Sequence, residues 1–445
     1  MILIQNGTIV TSAGLRRADI LIDGERIAAL VDPQAGLPAQ LPDLRIVDAS
    51  RRLIFPGLID VHTHMRQPGG EQKEDFYTGT CAALAGGVTT IFAMPNTSPA
   101  LTDRTTLDLA LDLAQQNAVC DYGVFLGATN TNQRVKQNNP DLRECGLKMY
   151  MGSSTGDLLV EDFGVQYEHC MDYPHERVLA VHAEHEPAVR YFGQHGERRP
   201  HIAAEVEVAR AVALAERCQR RVHICHVSSR REVEIIRDAK ARGVPVTCEY
   251  APHYMFLTTE FEQGTAQSAA QGAGNAPAVL PPALYQMNPP LRWENDLLTL
   301  WANLDVADCI ATDHAPHTLE EKHSARPPSG VPGLETMLPL LLTAARQGRL
   351  SLSDIARLCC EGPAQVYGIA SKGRITPGFD ADLTLVDADE AWAIGERPLF
   401  TKCGWTPFAG WRVQGTVKQV YVRGRLAFDG VQVTAVRGSG RRVAN

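Results

Sequence analysis

Short apolar runs recur along the middle of the chain, at about 53–62, 88–95, 120–127, 146–151, 178–184, 221–227, 244–251 and 308–313. They are rich in Val, Ile, Leu and Ala, and their length and β-branched content read as buried strands. Between most of them lie stretches of helical period, such as "KEDFYTGTCAALAGG", "TDRTTLDLALDLAQQNA", "HIAAEVEVARAVALAERC" and "SRREVEIIRDAKARG". Strand and helix alternating in this way predict an α/β fold, a parallel sheet closed into a (β/α)8 barrel. A doubly wound open sheet is the competing fold, but no Gly-x-Gly-x-x-Gly follows the first strand.

The two ends have a different rhythm. "MILIQNGTIVTSAGLRRADILIDGERIAAL" has short strands broken by Asn-Gly and Asp-Gly, and "GRITPGFDADLTLVD" and "GTVKQVYVRGRLAFDG" resemble it. These read as hairpins, so both termini are expected to build one small β domain beside the barrel. The expected division is 1–52 and 371–445 for that domain and 53–370 for the barrel. The stretch from Gly264 to Pro290, rich in Gly, Ala, Gln and Pro, reads as a long loop.

Composition narrows the function classes. A net charge of −8 offers no basic footprint for nucleic acid. No apolar run approaches a membrane span, and the opening lacks the pattern of a secretory leader. The 11 cysteines, an odd number scattered through apolar segments, read as reduced thiols. A cytoplasmic protein acting on a small molecule is the expectation.

The chemistry gathers at the ends of the predicted strands. In "GLIDVHTHMRQPGG", His62 and His64 lie two residues apart on a strand end, so their side chains share a side, and Arg66 follows. Later strands end on Asn96, Lys148, His182, His226, Glu249 and Asp313. Barrel active sites are built at that face. Each residue alone has a plain structural reading, a satisfied core histidine or a snorkelling amine, but so many at successive strand ends point to a metal centre. A protonated lysine has no lone pair to give. After reaction with carbon dioxide, Lys148 would be an anionic carbamate able to bridge two ions. The set expected is His62, His64, carbamylated Lys148 and Asp313 on one ion, with Lys148, His182 and His226 on the other. Two such ions would acidify a shared water, giving hydroxide at neutral pH, and Asp313 would move the proton as general base and then acid. Zinc is the first choice, although cobalt and manganese accept the same donors.

The ordered motifs "DVHTHMRQPGG", "AALAGGVTTIFAMPNTSPALTD", "GLKMYMGSSTG", "VHAEHE", "RVHICHVSSRREVEII", "VPVTCEYAPHYMFLT", "MNPPLR", "CIATDHAPHTLEEK" and "VPGLETMLPLLLTAA" resemble the amidohydrolase superfamily. Within it the chain is similar to the dihydroorotase family, both bacterial members and the corresponding segment of the animal multifunctional pyrimidine enzyme. The resemblance implies reversible cyclisation of N-carbamoyl-L-aspartate to L-dihydroorotate in pyrimidine biosynthesis. It implies that Arg66, Asn96 and His317 take the substrate carboxylate, and that Asn288 and the backbone at Ser329 and Gly330 hold the ring. A homo-oligomer, dimer or tetramer, is usual in the family, and contact with an aspartate transcarbamoylase is a further expectation. Cys225 and Glu249 match positions that hold a third zinc in the animal form. Ser154 and Thr155 are candidates to cap the substrate, and Gln67 stands where the family has Glu.

Two other functions compete. A hydantoin, dihydropyrimidine or allantoin hydrolase shares the metal chemistry, but its substrates lack this carboxylate and would leave Arg66 poorly paired. A non-catalytic partner of aspartate transcarbamoylase would be expected to have lost ligands, and all six are present.

Overall fold

The computed structural model describes residues 1–33, 44–154, 156–264 and 280–443. Eight parallel strands form a barrel: β1 Leu58–Thr63, β2 Val88–Ala93, β3 Asp121–Val124 continuing through Leu126–Gly127, β4 Leu147–Tyr150, β5 Leu179–His182, β6 Val222–Val227, β7 Val246–Tyr250 and β8 Cys309–Ile310. Each pairs in parallel with the next in sequence. The ring closes where Thr63 bridges His314 and the His64 amide donates to the His314 carbonyl at 2.7 Å. Asp60 helps the closure, accepting from the Thr312 amide at 3.1 Å and from its hydroxyl.

The helices begin where the sequence supplies side-chain acceptors for orphan amides. Asp75 starts Phe76–Ala85 by accepting from the Thr78 amide, Asp103 starts Arg104–Asn117 through Thr106, and Ser229 starts Arg230–Ala241 through Glu232. Inside the barrel, Phe92, Phe125 and Tyr367 meet edge to face with centroids 5.0–6.1 Å apart. Tyr367 comes from the helix Gly362–Tyr367, so this aromatic cluster forms a floor and leaves the opposite rim for chemistry.

Both termini build the β structure beside the barrel, as the hairpin pattern predicts. One sheet runs Arg26–Val31, Asp19–Asp23, Ile2–Gln5, Arg45–Asp48; the other runs Arg425–Phe428, Arg412–Val422, Leu383–Ala393, Leu53–Pro56, Thr8–Thr11, Gly14–Arg17. The apolar run at 53–62, read as one strand, is therefore two. Leu53–Pro56 pairs with Leu383–Ala393 in the terminal sheet, and β1 begins after Gly57. A Cβ at Gly57 would stand 2.2 Å from Thr89 Oγ1, so the chain passes between the two layers only as glycine. Of the long loop expected between Gly264 and Pro290, residues 265–279 lie outside the described residues. Pro282–Tyr285 within it forms a turn of 3-10 helix. Among the described residues no helix is long and apolar enough to cross a membrane.

Candidate metal centre

The side chains expected at the strand ends converge above the floor. From β1, His62 Nε2 and His64 Nε2 lie 3.3 and 3.0 Å from Asp313 Oδ1, which follows β8. Across the barrel, His182 Nδ1 and His226 Nε2 stand 3.0 Å apart. Lys148 on β4 is wholly buried, donates from Nζ to Cys225 Sγ at 2.9 Å, and its charge acts on His62, His182 and His226.

Local backbone irregularity makes this convergence possible. In a flat strand Cys225 and His226 would point to opposite faces. The β6–β7 register shifts between Ile224 and Val227, and His226 has φ 38°. The bulge turns both residues inward, Cys225 onto Lys148 and His226 onto His182. Arg66 and Asp313 also have left-handed backbones, φ 59° and 46°. Such conformations cost about 1–3 kcal/mol each for a non-glycine residue and cluster at functional sites.

The donor set fits divalent ions. Ligands about 2.0–2.1 Å from a tetrahedral ion stand about 3.3 Å from one another, close to the separations here. Three histidines have their outer nitrogen anchored. His62 Nδ1 is held by the Glu249 carboxylate, His64 Nδ1 by Asn96 Oδ1 at 2.7 Å, and His182 Nε2 by Glu184 Oε2 at 3.0 Å. With the proton on the anchored nitrogen, each turns a lone pair to the centre, the arrangement that outer partners impose on ligating imidazoles. Among the described residues His226 keeps a buried Nδ1 without a hydrogen-bond partner, unusual for a histidine with a purely structural role.

Electrostatics agree. Burial works against the charged form of His62, yet the Glu249 and Asp313 carboxylates lift it to about 10, so this position attracts a positive charge. Burial pushes His64 down to about 4 and also lowers His182 and His226. Against burial, His62 and His64 hold the Asp313 carboxyl well below the usual range.

The remaining residues form an arc beside this centre. Arg66 is 6% exposed; its Nε donates to the Pro316 carbonyl at 3.1 Å and its Nη2 to His317 Nε2 at 3.2 Å. His317 Nε2 also lies 3.1 Å from the Ser329 carbonyl. Ser329 Oγ donates to Asn288 Oδ1 at 3.2 Å. The backbone of Gly330 is already engaged, its amide with Gln286 O at 3.0 Å and its carbonyl with Lys322 at 3.1 Å. Ser154 is half-buried, and Thr155 lies outside the described residues. Gln67 accepts from the Phe76 amide at 3.2 Å and helps start that helix. Cys225 and Glu249 stand with His62 as a group whose ligand atoms lie within 4.8 Å of one another.

Sequence reading passed over several residues here. Glu184, two positions after His182, is readable in hindsight as a same-face carboxylate in "VHAEHE". His223, whose Nε2 meets Glu249 Oε2 at 3.1 Å, stands one turn of the alternation below Cys225. Arg198 and Arg199 carried no usable signal. Arg199 pairs with Glu184, and Arg198 Nη2 donates to Asn288 Oδ1 at 2.9 Å and Ser329 Oγ at 3.0 Å. In "GERRPH" they read as ordinary surface charge.

Comparison with known proteins adds kinship to this geometry. The model of the amidohydrolase family matches residues 53–427. The chain is 42% identical over 396 residues, 89% of its length, to "Multifunctional protein CAD" of Squalus acanthias, and spans 16% of that protein. It is 38% identical to "Multifunctional protein pyr1-3" of Dictyostelium discoideum, again spanning 16% of it. It is 33% identical to a dihydroorotase of Staphylococcus aureus, covering 97% of this chain and 100% of that one. Among solved structures, the L-hydantoinase (dihydropyrimidinase) of Arthrobacter aurescens superposes with a TM-score of 0.89 at 27% identity, covering 100% of this chain and 99% of that one.

Proposed function

Because the chain belongs to the amidohydrolase family and is thereby a metal-dependent cyclic amidohydrolase, we propose that it acts as a dihydroorotase, interconverting N-carbamoyl-L-aspartate and L-dihydroorotate in pyrimidine biosynthesis. The observation that carries this reading is Arg66. It is buried beside Asp313, and among the described residues it makes no ion pair with an acid. A buried cation without an acid beside it is costly, and it suits an anionic group arriving with the substrate. Dihydroorotate brings such a carboxylate outside its scissile amide; hydantoin and dihydropyrimidine rings need not. The high TM-score with a hydantoinase favours the second reading, a hydantoin-type hydrolase, and Arg66 argues against it.

In this reading Arg66, with Asn96 and His317, takes the carboxylate, and Asn288, the Ser329 backbone and the Gly330 backbone, through the second lone pair of its carbonyl, hold the ring. Two divalent ions, zinc first, would be held by His62, His64, Lys148 and Asp313 and by Lys148, His182 and His226, and would acidify water and polarise the scissile carbonyl. Lys148 is wholly buried and has no acid within ion-pair reach among the described residues. Taking up carbon dioxide on Nζ, with loss of a proton, makes it an anionic ligand. Asp313, held ionised, receives the proton of the attacking water and delivers it to the ring nitrogen as the C–N bond breaks. Ring closure uses the protonated form of the same residue. A homo-oligomer and contact with an aspartate transcarbamoylase belong to the same reading.

Arg66→Lys tests it. Lysine keeps the charge but not the two-pronged geometry, so kcat/KM for dihydroorotate should fall by about 100-fold with bound metal unchanged. Unchanged kinetics would remove the carboxylate role and favour the hydantoin reading.

A further inference from the structure

Lys322 has no exposed surface, yet its side chain ends in an amine. Among the described residues it makes no ion pair. Its Nζ instead donates to three main-chain carbonyls, Gln286 O at 3.1 Å, Pro328 O at 2.9 Å and Gly330 O at 3.1 Å. These match the three protons of an ammonium group. The indole of Trp405 lies 5.6 Å from the amine and donates to the His317 carbonyl at 2.7 Å.

The three carbonyls belong to two separate segments, and a third segment supplies the lysine. Residues 286–288 lead to Asn288, residues 328–330 contain Ser329 and Gly330, and the turn carrying Lys322 begins next to His317. The Gly330 amide closes the joint by donating to Gln286 O at 3.0 Å. Gly330 has φ 134°, and a Cβ there would stand 2.6 Å from Ala315 O, so its backbone is pressed against the strand end that leads to His317. A hydrocarbon side chain of similar length would fill the same space without the penalty of burying a charge. Burial, then Arg198, lowers the amine to about 7 against the pull of Glu262. The property a hydrocarbon lacks is the set of N–H donors.

We propose that Lys322 is a positioning residue that ties 286–288 and 328–330 into a single rigid rim, so that Asn288 and the Ser329–Gly330 backbone meet the substrate ring in register. The proposal rests on the reading that those residues hold the ring. Its direct consequence is a split between recognition and chemistry, because Lys322 contacts none of the metal ligands.

The test uses the full-length protein as Lys322→Met, which keeps the stem and removes the donors, and Lys322→Gln, which keeps an N–H2 on a shorter stem. For Lys322→Met, KM for dihydroorotate should rise on the order of 30-fold, with kcat within about threefold and bound metal per chain unchanged. Lys322→Gln should recover part of the loss. Hydrogen exchange should quicken at least ~10-fold at amides of 286–288 and of Ser329 and Gly330 and stay at wild-type rates in β4–β6. Wild-type KM with wild-type exchange would overturn the proposal, as would a fall in kcat and metal content at constant KM. If Lys322→Met fails to fold, Lys322→Gln decides by the same two measurements. If wild-type protein does not turn over dihydroorotate, the functional reading fails, and the exchange rates still decide whether Lys322 holds the rim.

Discussion

Glu184→Gln should uncouple stability from metal affinity in a way the geometry specifies. Glu184 is wholly buried, accepts from His182 Nε2 at 3.0 Å and pairs with Arg199, itself 8% exposed. Against burial, Arg199 and His182 hold its carboxyl down to about 2. A carboxyl lowered in the folded state contributes in full above the ordinary carboxylate range and loses its contribution as pH falls towards 2. At neutral pH the substitution therefore removes the whole term and leaves a buried guanidinium without its acid. Breaking one side of a buried pair costs about 3–5 kcal/mol. Arg199 keeps the Ser153 hydroxyl at 3.0 Å and the Ser153 carbonyl, which places the expected loss near the lower limit, about 3 kcal/mol. The amide oxygen of Gln can still accept from His182 but more weakly, so metal affinity should fall about 10-fold, the mild end for loss of a ligand's outer partner. Urea midpoints at constant m, and bound metal after dialysis against graded chelator, read the two effects. The double variant Glu184→Gln/Arg199→Met should regain at least half the stability, since no charge is then stranded, and none of the affinity. A single variant within ~0.5 kcal/mol of wild type, the ordinary range for surface changes, would mean that the Glu184–Arg199 pair contributes nothing to stability.

Lys148→Ala should lose activity and bound metal together, and a short carboxylic acid added to the variant should restore some turnover; wild-type metal and rate would end the carbamate role. Asp313→Asn keeps the shape but cannot shuttle a proton, so both hydrolysis and cyclisation should slow by at least ~1000-fold. Impairment in one direction only would move the proton to another group, His317 first.

What the chain displays openly and what it conceals follow from the physics of each element. The eight apolar runs mark the barrel because parallel strands are buried on both faces and need continuous apolar sequence. The same continuity hid the break at Gly57, where a terminal-sheet strand passes directly into β1. Polar residues at strand ends stood out against Val, Ile and Ala, and the structure draws His62, His64, Lys148, His182, His226 and Asp313 together. "VHICHV" alternates like a flat strand, and nothing in it announces the bulge that brings Cys225 and His226 to the same centre. Arg199 and Lys322 were invisible for the opposite reason: a cation in a polar stretch usually belongs to the surface, and only the folded chain shows that these two are buried, while Arg198 stays exposed and still reaches Asn288.

The most direct measurement is kcat/KM of the purified, metal-loaded protein for L-dihydroorotate, hydantoin and allantoin side by side, with N-carbamoyl-L-aspartate supplied for the reverse direction. Turnover of dihydroorotate and of carbamoyl aspartate is expected, with preference for dihydroorotate over either carboxylate-free ring by at least ~100-fold, the scale of a charge-assisted contact. Equal or better turnover of hydantoin, with no cyclisation of carbamoyl aspartate, would contradict the dihydroorotase reading.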